Sequence, residues 1–216
     1  MIDGVEVDVG PEAVVVIAAE TLTVLSSAVT GGGLGPARAI MNLHVEKDGP
    51  WEDAEARLGA LAARRRLPAP WVGLLTGART ERARVAHERA RALAALVVVT
   101  VGLSNAVAAG RSAAAVAPPG TINTIAIVDA ALGPAALVNL VVTLTEVKAL
   151  VLAEAGVTCA AGPASGTSTD AVVIAATGRG RALSFGGPIS EAGWLVARAA
   201  RAALSEGVRR WQQERA

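Results

Sequence analysis

TINTIAIVDAALGPAALVNLVVTLTEVKALVLAEAG, residues 121–156, is the stretch whose reading decides the fold. Its opening run, 121–128, is apolar and rich in β-branched residues, and Asp129 ends it, as a buried strand requires. Gly133-Pro134 then starts a helix over about 135–155, and Gly156 stops it. Proline at the first turn and glycine past the last are the usual punctuation of a helix, although Val and Thr, weak helix formers, are frequent inside it. A strand handed on to a long helix is the grammar of a chain that mixes both elements.

The same grammar extends outward. Residues 5–9 (VEVDV) alternate apolar and acidic, as a half-buried edge strand does. Residues 13–19 and 22–25 read as strands, followed by SSAVTGGGLG (26–35), with glycine at four of the five positions 31–35. A strand at 39–45 is broken by Asp48-Gly49-Pro50. Residues 51–66 read as an amphipathic helix with acids at its start and Arg64 to Arg66 at its end, the order that the helix dipole favours. Pro68 and Pro70 stop it, and 71–76 (WVGLLT) is a strand. The arginine-rich stretch 80–92 fits either a helix or a charged hairpin arm. Residues 94–103 form a buried strand, 104–120 a Gly/Pro-rich loop, 162–169 a Gly- and hydroxyl-rich loop and 170–176 a strand. Residues 188–213 close the chain as a helix. The sum is one α+β domain over 1–216, a mixed sheet of about six to eight strands with three main helices.

The halves echo each other. Leu25-Ser26-Ser27-Ala28-Val29 matches Leu103-Ser104-Asn105-Ala106-Val107, and each precedes glycines, a strand holding an asparagine (Asn42, Asn123), an Asp…Gly-Pro break and a helix. Internal duplication and chance in an Ala/Val-rich sequence are both open. Under duplication, two similar loops would flank a pseudo-twofold axis, a natural place for a cleft.

Composition narrows the function. Of 216 residues 52% are hydrophobic, enough for a sizeable core. The aromatics are Trp51, Trp71, Phe185, Trp194 and Trp211, too few to stack bases, and a net charge of +1 gives no field to attract nucleic acid or an anionic membrane. One cysteine, Cys159, forms no internal disulfide or CxxC cage, and two histidines, His44 and His87, build no three-histidine zinc site. The acidic start (Asp3, Glu6, Asp8) is not that of a signal peptide. The apolar windows 92–109 and 135–152 carry polar or charged residues, so they read as buried elements rather than membrane spans. A reducing cytoplasm is the expected location.

Cations are arginine nearly everywhere, so Lys148 in the middle of an apolar helix stands out. Lysine is a compact charge suited to polarising an amide, anchoring a substrate or donating a proton; the plainer reading is a side chain snorkelling from the helix flank. Asn139, Thr143 and Glu146 share one stripe, with Lys148 nearly opposite Glu146. A helix packed on both sides would bury one of the two, and a buried Glu146 would serve as general base. In GPASGTSTDAVVIA (162–175), backbone N–H groups could hold an oxyanion and Asp170 could position a water or a cation, or the aspartate could simply close a turn. No Walker A loop, GxGxxG with its acidic follower, or GxSxG elbow occurs. Cys159 is in an apolar context and reads as inert. Asn42 and His44 share a strand face, and His87 reads as a solvated surface residue.

LSSAVTGGGLGPARAIMNLHV (25–45), VGLLTGA (72–78), VTVGLSNAVAAG (99–110), GTINTIAIVDAALGPAALVNLVVTLTEVKAL (120–150), SGTSTDAVVIAATG (165–178) and FGGPISEAGWLVARA (185–199) together resemble the adenosylcobinamide amidohydrolase family. The order of blocks runs along nearly the whole chain, and GTINTI, TE-x-K and GT-x-TD are the specific ones. The first 20 residues and 80–92 carry little of the resemblance. It implies hydrolysis of adenosylcobinamide to adenosylcobyric acid and (R)-1-amino-2-propanol in prokaryotic cobamide salvage. The matching blocks contain Ser26, Asn42, Ser104, Asn105, Thr121, Asn123, Glu146, Lys148, Thr167, Thr169 and Asp170. Amide hydrolysis needs an activated water, oxyanion donors and a proton for the leaving amine. Glu146 or Asp170 is then the candidate base and Lys148 the electrostatic stabiliser or acid. Backbone N–H groups of 166–169 with Asn123 would form the oxyanion site. Asn42, Ser104, Asn105, Thr121, Asn123, Thr167 and Thr169 suit the amides of a corrinoid. A hydroxyl nucleophile, Ser104 or Thr167, is an alternative. No cofactor is implied, and a carboxylate-bound divalent metal stays open. The expected partner is the corrinoid, with no nucleic acid and no membrane; the Ala-rich C-terminal helix would suit a homodimer. A non-catalytic corrinoid-binding module and a structural oligomer are the competing classes.

Overall fold

A computed structural model describes residues 1–46, 53–114 and 121–215. The Asp48–Pro50 break, the start of the 51–66 helix and the 115–120 end of the loop fall outside the described residues. In chain order the strands are β1 (Val5–Val9), β2 (Ala13–Ser26), β3 (Gly33–His44), β4 (Trp71–Thr76), β5 (Arg84–Ala90), β6 (Leu93–Val101), β7 (Ala106–Val107), β8 (Ile122–Val128), β9 (Ala131–Leu132), β10 (Thr158–Cys159), β11 (Gly162–Pro163), β12 (Gly166–Thr167), β13 (Ala171–Ala176) and β14 (Ala182–Leu183). The helices are α1 (Ala54–Arg64), α2 (Pro134–Glu154) and α3 (Glu191–Gln213). The class is α+β, with one mixed eight-stranded sheet in the order β4-β3-β2-β13-β8-β6-β5 and β1 paired to β2.

Alternation along the strands builds two faces. Val14, Val16, Leu22 and Val24 of β2 join Ile40, Val72, Leu74, Leu96, Val98, Ile125, Ile127, Val173 and Ala175 in one core. Strands β4 and β6 are far apart in the sheet order yet share this core, so the sheet folds over on itself and the core lies between its two layers. The opposite face is covered by α1 over Val15, Met41 and Leu43, and by α2 with α3 over Val97, Val99, Ala126 and Ile174. The alanines of α3 at 192, 199, 200 and 203 are buried in this packing. The alanine face of α3 is therefore covered within the chain. Helix α2 is long and apolar enough to cross a membrane, but it lies against β13 and α3.

Two strands differ from expectation. The expected pair 13–19 and 22–25 is one strand, β2, with a register shift between Ile17 and Leu22. The shift lets β2 pair with β1 over 14–18 and with β13 over 23–26. The glycine run is not all loop: β3 begins at Gly33 and pairs Leu34 with Leu25 and Pro36 with Thr23. Proline is tolerated because β4 joins β3 only from Ala39, leaving Pro36 on an edge. Gly31 has a positive φ, and a Cβ there would lie 2.9 Å from the Trp71 carbonyl oxygen. The ambiguous 80–92 stretch resolves as a 3₁₀ turn at Thr80–Arg82 and the edge strand β5. Its charges suit an edge, and Glu88 pairs with Arg198 of α3.

Candidate active site

The interlayer core is apolar except at one end. Inward positions of β3, β4, β6 and β8 there carry Asn42, Thr76, Thr100 and Asn123, all buried. Asn42 Nδ2 donates to Thr100 Oγ1 at 2.9 Å, and Asn123 Nδ2 donates to Asn42 Oδ1 and to the Leu75 carbonyl, each at 2.8 Å. Thr121 Oγ1 points its proton at Asn123 Oδ1 (2.9 Å) and the Thr169 carbonyl (2.8 Å). Buried polar groups need such partners, and this chain ties the two layers together. Asn42 and Asn123 thus face the interior rather than a cleft. The signal for Thr100 was available: it shares parity with Ala94, Leu96 and Val98 on β6.

From Thr121 the chain of contacts continues to a charged centre. Lys148 Nζ of α2 donates to Asp170 Oδ2 at 2.5 Å, with side chains only 15% and 11% exposed. Asp170 sits between β12 and β13. Its Oδ2 also accepts from the Thr167 backbone N–H at 3.0 Å. Its Oδ1 accepts from the Ile122 N–H at 2.9 Å and from the Thr167 hydroxyl. Four donors thus meet a carboxylate with about four lone-pair sites. Gly166 permits the approach: a Cβ there would lie 2.5 Å from Asp170 Oδ2 and 2.8 Å from Lys148 Nζ.

Around this centre are the expected polar residues. Strand β7 pairs with β12, Ala106 opposite Thr167, which carries the 102–107 loop over it. Asn105 Nδ2 meets Ser168 Oγ at 2.5 Å, and Ser104, Ser168 and Thr169 are exposed. Ser168, inside the quoted GTSTD block, was missed because it was read with the turn. The structure therefore brings Lys148, Asp170, Thr167, Thr169, Thr121, Asn105 and Asn123 together. It leaves Glu146 outside: two residues before Lys148 is about 200° around the helix, and Glu146 is exposed. Asp170 both closes the turn and pairs with Lys148. His44 shares the inward parity of Asn42 and its Nδ1 lies 2.9 Å from the Ala78 carbonyl; His87 is exposed. Cys159 Sγ contacts the Gly162 carbonyl at 3.4 Å. Among the described residues no three of His, Cys, Asp and Glu converge.

Comparison with known proteins places the chain as a whole. An adenosylcobinamide amidohydrolase of Halobacterium salinarum (strain ATCC 700922 / JCM 11081 / NRC-1) is 39% identical over 144 residues, 63% of this chain and 56% of that protein. The match therefore spans little more than half the length of that relative. The crystal structure of the PH0078 protein from Pyrococcus horikoshii OT3 aligns over 99% of this chain and 85% of its own, with 12% identity and a TM-score of 0.51. A Burkholderia sp. beta-aminopeptidase aligns over 91% and 77%, with 14% identity and a TM-score of 0.46. At 12% identity the likeness to the PH0078 protein is one of fold alone. The model of the adenosylcobinamide amidohydrolase family matches residues 1–216 in full, and the chain belongs to that family of amidohydrolases.

Proposed function

We propose that the protein hydrolyses the amide joining a corrin propionyl side chain to aminopropanol in adenosylcobinamide. The products are adenosylcobyric acid and (R)-1-amino-2-propanol, a step of cobamide salvage. Family membership supports the substrate class. The observation that carries the chemistry is the Thr167 hydroxyl held on an Asp170 carboxylate whose other lone pairs are taken by Lys148 and two backbone N–H groups.

Such a carboxylate has no vacant lone pair with which to deprotonate a water, but it can take the Thr167 proton along the existing hydrogen bond. That favours the hydroxyl as nucleophile. Thr167 Oγ1 bonds to the amide carbon as its proton passes to Asp170. Lys148, whose ammonium has three donors and gives one to Asp170, stabilises the tetrahedral oxyanion. The C–N bond then breaks, the leaving nitrogen takes the proton from Asp170, and water hydrolyses the Thr167 ester to the free acid. Exposed Ser104, Ser168 and Thr169 offer polar groups to the amides on the corrin rim. Glu146 has no part in this scheme.

The test is a dark, anaerobic incubation with adenosylcobinamide, read by mass spectrometry for both products and for an acyl adduct on the Thr167 peptide, with and without EDTA. Product that persists in chelator and is lost in Thr167→Val supports the scheme. Product lost in chelator puts a metal on the carboxylates instead. Corrinoid binding without product supports the binding-module reading.

A further inference from the structure

A second feature owes nothing to that chemistry. A cavity of about 570 Å³ opens beside the ends of β3, β4 and β6, under the last turns of α3. Gly102 in its wall donates its N–H to the Thr121 carbonyl at 3.1 Å, so the cavity adjoins the buried polar chain, but none of that chain's side chains line it. Among the described residues four arginines do, Arg79, Arg82, Arg210 and Arg215, against two carboxylates, Glu46 and Glu214.

The charges are unevenly matched. Glu214 at the end of α3 is paired with both Arg82 and Arg210, the latter at 3.1 Å, while Arg215 stacks on the Trp211 ring at 4.3 Å. Burial, then repulsion from Arg79 and Arg210, holds the Arg82 guanidinium below its ordinary pKa despite Glu81. Each guanidinium carries five N–H donors, more than one shared carboxylate can accept, and both side chains line the cavity. Guanidinium forks match the oxygens of a tetrahedral oxyanion better than a lone carboxylate can. The side chain of Glu214 is 30% exposed and belongs to the residue that caps the C-terminal end of α3.

We infer that this cavity binds a phosphate-type oxyanion, free or as a phosphate ester, on Arg82 and Arg210, and that Glu214 is the internal anion it displaces. Calorimetric titration of the full chain with sodium phosphate and, separately, with glycerol 2-phosphate tests this, at an ionic strength fixed with sodium chloride. Binding of the ester alone or of phosphate alone identifies the source, and either supports the site. Arg82→Gln or Arg210→Gln is expected to weaken binding about tenfold or more. Glu214→Gln is expected to tighten it about threefold or more by removing the competitor. Arg209→Gln, on an exposed pair with Glu206, is the charge-matched control and is expected to leave binding unchanged. No binding beyond the chloride control in wild type and Glu214→Gln would overturn the proposal. So would Glu214→Gln binding no tighter, or binding that Arg82→Gln leaves intact, an adventitious ion only.

Discussion

Two parts of the sheet share one connectivity and differ in chemistry. In the first, β2 and β3 form an antiparallel pair, α1 crosses over, and β4 returns parallel to β3. In the second, β6 and β8 are antiparallel, α2 crosses over, and β13 returns parallel to β8. The contrast lies in the return. The first takes only residues 65–70 from helix to strand; the second takes 155–170 and makes β10, β11 and β12 on the way. The longer return carries Thr167 and Asp170 to the flank of α2, where Lys148 meets them. Chemistry sits in the connection and the repeated scaffold holds it, in keeping with functional groups gathering on loops positioned by rigid elements. The asparagines that suggested a duplication are not equivalent within it: Asn42 is opposite Val14 at the start of β2, whereas Asn123 is opposite Thr100 near the end of β6. Nor do the two echoing loops share surroundings. The first bonds to Gly73 and Val172, the second to Ser165 and β12.

The largest effect expected is on the second return. Asp170→Asn should lower kcat about 1,000-fold, and combining it with Thr167→Val should add almost nothing, because the two residues act as a unit. Steady-state product formation checks both, and additive losses would separate Thr167 from Asp170. Lys148→Met comes next: about a 100-fold loss of kcat/KM, together with about 3 kcal/mol of stability from leaving a nearly buried carboxylate unpaired, read by urea unfolding. Asn123→Ala moves the comparison to the shared scaffold. It removes the donor to Asn42 Oδ1 and to the Leu75 carbonyl and one of the two acceptors of the Thr121 hydroxyl, so about 1–3 kcal/mol should be lost, with the larger change in unfolding midpoint than in kcat. On the first return, Arg65→Ala removes the pairs of a half-buried guanidinium with Asp8 and Glu12 and should cost at most about 1 kcal/mol. Glu146→Gln should be smallest, within about 0.5 kcal/mol and with kcat unchanged; a large loss would return Glu146 to the site.

Much of the fold was legible. Apolar runs with β-branched residues marked β6, β8 and β13, and Pro134 with Gly156 bracketed α2. What escaped did so for identifiable reasons. Strand β5 carries charged residues on both of its faces, and an edge beneath a helix satisfies them as well as an exposed helix face would. The glycines at 33 and 35 have no side-chain pattern to read, yet their backbones pair with β2. At the site, helical spacing separated Lys148 from Glu146 but did not say which of the two would find a partner.

By itself, the sequence determined the element types, the α+β class, the isolation of one lysine on an apolar helix and the polar block before β13. Those follow from periodicity, turn residues and local charge, which act over a few residues. Only the tertiary structure decided that the sheet folds over, that Asn42 meets Asn123, and that Asp170 answers Lys148 while Glu146 stays in solvent. Those contacts join residues far apart in the chain, and their selection depends on burial: a charge or amide taken out of water settles where partners complete its hydrogen bonds.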